Sequence, residues 1–308
     1  MIAIVGPTAV GKSELALGLA QYFSLEIISA DSRQVYRYMD IGTNKPSPAE
    51  MATVPHHVID VVEPDQDFNL AMYHQLAVES LAGIQQRGRL PLLVGGSGLY
   101  VWSLIEGWTI PRVPPDREMR RRLEFRAKRD DSQSLYRELQ TIDPAAAEKI
   151  GPSNVRRVIR ALEIYYTTGQ PPSGLQRKEG PGFSVLIIGL TEERSELYSR
   201  IDWRVDRMIQ RGLVGEVEQL VKKGYSSSLP SMSGIGYKQI VEFLRGDMTL
   251  PEATDKMKYE THRLARHQYA WFRLNDNRIH WFDVGEIRGK SSIAALDEVK
   301  ALIEGFIS

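Results

Sequence analysis

The chain has 308 residues, is 42% apolar and 25% charged, contains no cysteine and carries a formal net charge of zero. Such a balance excludes a disordered chain, and the missing cysteine excludes disulfides, thiolate nucleophiles and thiolate-ligated zinc. No apolar run approaches the roughly 20 residues of a bilayer span, and the opening MIAIVGPTAVGKS lacks the basic front of a signal peptide, so a cytoplasmic protein without membrane contact is expected.

Residues 2–5 (IAIV) form a short continuous apolar run, the pattern of a strand buried on both faces of a parallel sheet. Gly6-Pro7-Thr8-Ala9-Val10-Gly11-Lys12-Ser13 follows and matches GxxxxGK[ST]; Leu15, Leu17, Leu19, Ala20 and Phe23 then continue as a helix. A strand before and a helix after are the context a P-loop requires. Its backbone N–H groups curl around phosphate, the helix N-terminus adds a favourable dipole, Lys12 supplies charge and the Ser13 hydroxyl can hold Mg²⁺. The loop alone does not specify ATP or any other phosphate compound. LEIISA at 25–30 reads as the next strand and ends in Asp31, at the carboxyl edge where parallel sheets place ligands. A carboxylate there can hold Mg²⁺ through water, accept a proton from a nucleophile or cap a turn, and position does not separate these roles.

Further apolar runs at 58–62, 90–94, 183–190 and 279–282 read as strands. The run at 90–94 leads into Gly95-Gly96-Ser97-Gly98, a turn with one hydroxyl at the same sheet edge, which suits close ligand approach and a plain tight turn equally. Between 115 and 182 the charged helical segments EMRRRLEFRAKR and NVRRVIRALEIYY replace strands, with proline pairs at 114–115 and 171–172 as punctuation. The fold class that results is α/β: a P-loop NTPase-like parallel-sheet core at 1–114 and 183–308 with a helical insertion domain at 115–182.

The segment 197–223 reads as one helix on which Arg200, Arg204, Arg207 and Arg211 form a stripe. A solvated face is the usual meaning of such a stripe, and pyrophosphate clamping is the sharper one. The segment 252–273 reads as another helix, with Met257, Leu264 and Trp271 near one face and Tyr259, Arg263, Arg266 and Arg273 on a basic one. Aromatic residues mixed with cations suit RNA, whose backbone wants charge and whose bases want stacking partners. Arg117, Arg120, Arg121, Arg122, Arg126, Lys128 and Arg129, with Arg156, Arg157 and Arg160, make the insertion basic as well, so a neutral protein carries three local basic clusters.

These residues resemble the bacterial tRNA dimethylallyltransferases over nearly the whole chain. The resemblance rests on GPTAVGKS at 6–13, ISADSRQVYRYMDIGTNKP at 28–46, HHVIDV at 56–61, GGSGLY at 95–100, RRVIRALE at 156–163, IGYKQ at 235–239 and THRLARHQYAWFR at 261–273. It implies transfer of the dimethylallyl group of dimethylallyl diphosphate, with Mg²⁺, to N6 of the adenosine just 3′ of the anticodon in tRNA, by an enzyme expected to act as a monomer. Residues Gly6 to Ser13 would hold the diphosphate, Ser13 the metal, and Arg204 would add a clamp. Asp31 becomes the general base, and Ser97 stands near the reacting amine where the family often has threonine. Asp31, Ser32, Arg33 and Gln34, then Arg156, Arg157 and Arg160, then Arg263, Arg266, Gln268 and Arg273 would contact tRNA. His267 replaces a cation common in the family with a titratable ring. A P-loop kinase, an isopentenyltransferase for free adenine nucleotides and a non-catalytic RNA-binding protein each leave some of these motifs without a purpose.

Overall fold

The computed structural model describes residues 1–111, 113–129, 132–175, 177–285 and 292–308. The chain divides into two compact units, one made of Met1–Ile105 with Phe183–Ser308 and the other of Glu106–Gly182.

The first unit is built on a parallel sheet of β1 (Ile2–Val5), β2 (Leu25–Ala30), β3 (His56–His57), β4 (Leu90–Gly95), β5 (Leu186–Thr191) and β6 (Ile279–Asp283), in the order β3-β2-β4-β1-β5-β6. Ile2 lies opposite Leu92 on one side and Leu186 on the other, so β1 is central. Every residue of β1 and β2 is buried, which is why β1 is apolar without alternation, while in β2 the buried Glu26 is paired with Arg87 and His57. Because all strand pairs are parallel, every strand delivers its carboxyl end to one edge. Ile4, Val10, Leu19, Leu92, Ile188 and Ile201 belong to the core beneath that edge.

The expected strand at 58–62 is not formed. Val58 and Asp60 have φ of 62° and 55°, left-handed values that no strand contains, and Val62 makes only an isolated bridge to Tyr36. Val58 and Val62 are buried in a turn instead, held by the buried Lys45, whose Nζ donates to Asp60 Oδ1 at 2.6 Å, Asp40 Oδ1 at 2.6 Å and the Tyr36 carbonyl at 2.8 Å. Packing against the loop after β2 thus overrides strand propensity. The run 183–190 is displaced to Leu186–Thr191, where it pairs with β1 and β6.

The helices that carry the site are α1 (Lys12–Leu19), α2 (Pro48–Thr53), α3 (Leu70–Gln86) and α4 (Gly98–Ile105), followed after the second unit by α10 (Arg194–Gln210), α11 (Leu213–Lys222), α12 (Tyr237–Leu244), α13 (Leu250–Trp271) and α14 (Ser292–Ile307). The single helix expected over 197–223 is two, because Gly212 adopts φ 97° and separates α10 from α11. Helix α13 opens on a capping box in which Thr249 and Glu252 exchange side-chain to backbone bonds. It ends at Trp271, so Arg273 lies beyond it. Its buried residues are Ala253, Met257, Thr261, Ala265 and Gln268; Leu264 and Trp271 share a face with Met257, as expected, and all three line one cavity, where Leu264 and Trp271 stay exposed.

The second unit contains α5 (Arg117–Arg129), α6 (Ser132–Ile142), α7 (Pro144–Ile150), α8 (Val155–Thr168) and α9 (Pro172–Leu175) around Leu123, Leu135, Leu139, Val158 and Leu162. It begins at Glu106, ahead of the proline pair at 114–115, because residues 107–109 and 177–179 pair: Thr109 N–H donates to the Arg177 carbonyl and Glu179 N–H to that of Gly107. The fully buried Glu163 accepts from Arg120 Nε and Nη2 at 2.8 Å each and from Arg160 Nη1 at 2.5 Å. A buried carboxylate needs such partners, so two of the insertion's arginines serve its fold.

Candidate active site

A cavity of about 1100 Å³ opens at the carboxyl edge of the sheet. From the loop after β1 it takes Thr8, Ala9, Gly11, Lys12 and Ser13; from the ends of β2 and β4 it takes Asp31 and Ser97. Gly6, Pro7 and Val10 are buried, and Val10 joins the core, so these residues shape the P-loop without lining the cavity. Gly6 (φ 138°) must be glycine, since a methyl group there would collide with the Leu190 carbonyl of neighbouring β5.

The electrostatics of the loop are those of an anion-binding site. Lys12 Nζ donates to the carbonyls of its own loop, Gly6 at 3.0 Å and Pro7 at 2.6 Å. Burial pulls Lys12 down to about 7, with the nearby Arg204 adding to the effect and Asp31 opposing it. Burial likewise lowers Arg204 to about 10, with Asp31 opposing and Arg200 adding to the fall. Arg204 Nη2 donates to the Thr8 hydroxyl, and Arg204 Nε is buried without a partner in the protein. Two enclosed cations with one carboxylate between them hold an excess of positive charge that a multivalent anion would neutralise.

Arg200, Arg204, Arg207 and Arg211 all line the cavity. Both readings of this stripe apply to part of it: Arg200 and Arg204 are partly buried in the cavity wall, whereas Arg207 and Arg211 are exposed at its rim, and Arg200 Nη1 is also drawn to Glu192 at 3.5 Å. Asp31 Oδ1 accepts the N–H of Arg33 at 2.7 Å, an Asx-type turn that orients the carboxylate, and Ser97 Oγ accepts the N–H of Ser32 at 3.1 Å. The β2 and β4 ends are thus joined by Ser32 and Ser97.

Arg33 and Gln34 line the cavity too, yet both are engaged. Arg33 Nη1 donates to the Pro230 carbonyl at 2.8 Å, while Gln34 Nε2 donates to those of Thr43 and Asn44 at 3.3 and 3.2 Å. Gln268, expected on a tRNA-facing surface, is buried inside the site. Its Oε1 accepts the Thr8 N–H at 2.7 Å and its Nε2 donates to the Gly96 carbonyl at 3.0 Å. Arg263, Arg266 and Arg273 are exposed, with Arg266 Nη1 donating to Tyr198 Oη at 2.8 Å. In the second unit Arg156 and Arg157 are exposed, whereas Arg160 is committed to Glu163 and to the Val113 carbonyl at 2.8 Å.

Sequence reading missed Glu216 and the segment it holds. Glu216 accepts the N–H groups of Asp40 (3.0 Å), Ile41 (2.7 Å) and Gly42 (3.2 Å) and the hydroxyl of Tyr237 (2.6 Å). Gly42, Thr43 and Asn44 then form part of the cavity wall. An acid in the first turn of α11 looks like any favourable helix start, and only its distant partners distinguish it.

Among the described residues no group of three or more His, Asp and Glu side chains is placed to hold a metal. Oxygen donors beside the P-loop include the exposed Ser13 hydroxyl and the Asp31 carboxylate. That set fits Mg²⁺, which takes one or two protein oxygens and completes its shell with phosphate and water.

A family described as IPP transferase matches residues 34–275. The tRNA dimethylallyltransferase of Thermomicrobium roseum is 51% identical over 92% of this chain and 86% of its own length, and that of Herpetosiphon aurantiacus is 49% identical over 99% and 95%. Among solved structures, the full-length tRNA isopentenylpyrophosphate transferase of Bacillus halodurans is 42% identical, with a TM-score of 0.67 over 99% of this chain and 98% of that one. A eukaryotic dimethylallyltransferase captured acting on tRNA is 29% identical, with a TM-score of 0.81 over 99% and 79%. With its P-loop, the Asp31 and Ser97 strand ends and the arginine wall sharing one cavity, and with likeness of this extent, the chain belongs to the IPP transferase family.

Proposed function

We infer that this protein transfers the dimethylallyl group of dimethylallyl diphosphate to N6 of the adenosine 3′-adjacent to the anticodon in tRNA, releasing diphosphate. The observation that carries the reading is the cavity in which Lys12 and Arg204, two enclosed cations, share one space with Asp31 and Ser97. An allylic diphosphate needs its departing charge neutralised and a weak amine aligned, and this cavity offers groups for both.

In this reading the P-loop amides, Lys12 and Arg204 take the diphosphate, and the partnerless Arg204 Nε finds its acceptor there. Ser13 would hold a Mg²⁺ ion, whose chemistry is to neutralise charge on the leaving group. The C1–O bond of the donor breaks, the bond from N6 to C1 forms, and the proton leaving N6 passes to the carboxylate of Asp31, which lines the cavity and whose Oδ1 accepts the Arg33 N–H. Ser97, already accepting from Ser32, can donate its own hydroxyl proton towards the adenine or the carboxylate. The adenosine must leave its stack to reach this depth, and the exposed Arg263, Arg266 and Arg273 would hold the surrounding strand through phosphates; in the second unit the exposed Arg156 and Arg157 would contact tRNA on their own account. We place the activity in the cytoplasm, carried out by a monomer; none of the described helices is long and apolar enough to cross a membrane.

The test is incubation with labelled dimethylallyl diphosphate, Mg²⁺ and unmodified tRNA followed by nucleoside analysis. Label in N6-isopentenyladenosine is expected. Label transfer to free adenine nucleotides alone, or none at all, would refute the reading.

A further inference from the structure

We propose that Gln268 is a positioning residue for group transfer, its buried amide setting the spacing between the diphosphate loop and the turn that carries Ser97; this rests on the function inferred above. The side chain is 8% exposed and comes from α13, far along the chain from both segments it joins. One end of its amide takes the Thr8 N–H of the P-loop and the other gives a hydrogen to the Gly96 carbonyl beside Ser97. Thr8 is in turn the residue whose hydroxyl receives Arg204. A single planar group therefore spans the leaving-group side and the nucleophile side of the cavity.

The surroundings are built around that bridge. A methyl group at Gly96 would collide with Gln268 Nε2, and one at Gly98 would collide with the Trp271 ring, one helical turn further along α13. Trp271 is itself tied to the same region, its carbonyl accepting from Trp102 Nε1 of α4 at 3.0 Å. The two glycines of the β4 to α4 turn thus make room for the end of α13, in addition to any ligand. An RNA contact explains none of this, since an amide facing a polyanion needs neither a P-loop partner nor a glycine beneath it.

Two variants test the assignment. Gln268→Met keeps the length and removes both hydrogen bonds; Gln268→Glu keeps the acceptor for Thr8 and sets a carboxylate against the Gly96 carbonyl. Single-turnover transfer is measured at saturating dimethylallyl diphosphate and tRNA, on protein verified as folded by its thermal transition, with tRNA affinity measured alongside. The expected result is a fall of about 10²-fold in the single-turnover rate, the scale of a 1 Å misplacement of reacting groups, with tRNA affinity unchanged. A folded variant with the wild-type rate overturns the proposal in favour of a purely structural role. Loss of tRNA affinity with the rate intact at saturation overturns it in favour of an RNA contact. If the wild type itself transfers no label to tRNA, the function and this inference fall together; if it does and either folded variant matches it, this inference falls alone.

Discussion

Diphosphate binding should draw a proton onto Lys12. Burial holds the free side chain at about 7, helped by Arg204 and resisted by Asp31, so near neutrality the empty site contains neutral and charged forms together. Only the ammonium form attracts diphosphate strongly, and the bound anion raises Lys12 by opposite charge. The sign follows: affinity is level below pH 7, where the amine is already charged, and falls above it. From pH 7 to pH 9 the charged fraction drops about 50-fold, worth about 2.3 kcal/mol at 1.36 kcal/mol per tenfold. Titration calorimetry with inorganic pyrophosphate at pH 7, 8 and 9, in buffers of different ionisation enthalpy, reads both the affinity and the protons taken up. Lys12→Ala supplies the baseline, because pyrophosphate's own ionisation is common to both proteins. The reasoning is refuted if wild type and Lys12→Ala share the same pH slope and the same proton uptake.

Asp31→Asn keeps Oδ1 as acceptor for the Arg33 N–H, so the turn should survive while single-turnover transfer falls by about 10² to 10⁴-fold; an unchanged rate would return Asp31 to a turn cap. Alanine at both Arg263 and Arg266 should weaken tRNA binding and flatten its log–log salt dependence by about 0.7 for each single-strand phosphate left without its cation, leaving pyrophosphate affinity alone. Salt titrations that superimpose on wild type would show a solvated helix face. Glu26, at the opposite end of β2 from Asp31, is held down at about 2 by its bonds from Arg87 and His57 against the cost of burial. Its folded value lies below its ordinary 4.5, so the stability it contributes is present above 4.5 and is lost as pH falls towards 2. Glu26→Gln should cost at most about 3 kcal/mol at pH 7, reduced by the exposure of its arginine partners, and the gap in denaturant titrations should narrow between pH 4.5 and 3. A gap independent of pH would mean that the pairing carries none of it. Gly42→Ala, whose methyl group would meet the Tyr237 ring, should cost about 1–3 kcal/mol as overpacking; an unshifted thermal transition would show that the wall segment yields.

Local chemistry made much of this protein legible without coordinates. An apolar run, a glycine loop, Lys12-Ser13 and a helix declare a P-loop because phosphate binding uses consecutive backbone amides, and Asp31 and Ser97 follow because parallel strands deliver their carboxyl ends to a common edge. What tertiary structure alone decided is which way distant side chains face. Arg200 and Arg204 of the α10 stripe read as solvated on an isolated helix, and become a wall only because the helix packs beside β1 and β5 with that face over the P-loop. Gln268 follows Arg266 and His267 on an exposed-looking helix, yet the packing of α13 turns it inward to Thr8 and Gly96. Glu216 gathers three amides from a segment far earlier in the chain. The apolar run at 58–62 becomes a turn because Lys45 claims Asp60. In each case the deciding partner is remote in sequence, and neither periodicity nor propensity, which report only on neighbours within a few residues, carries information about it.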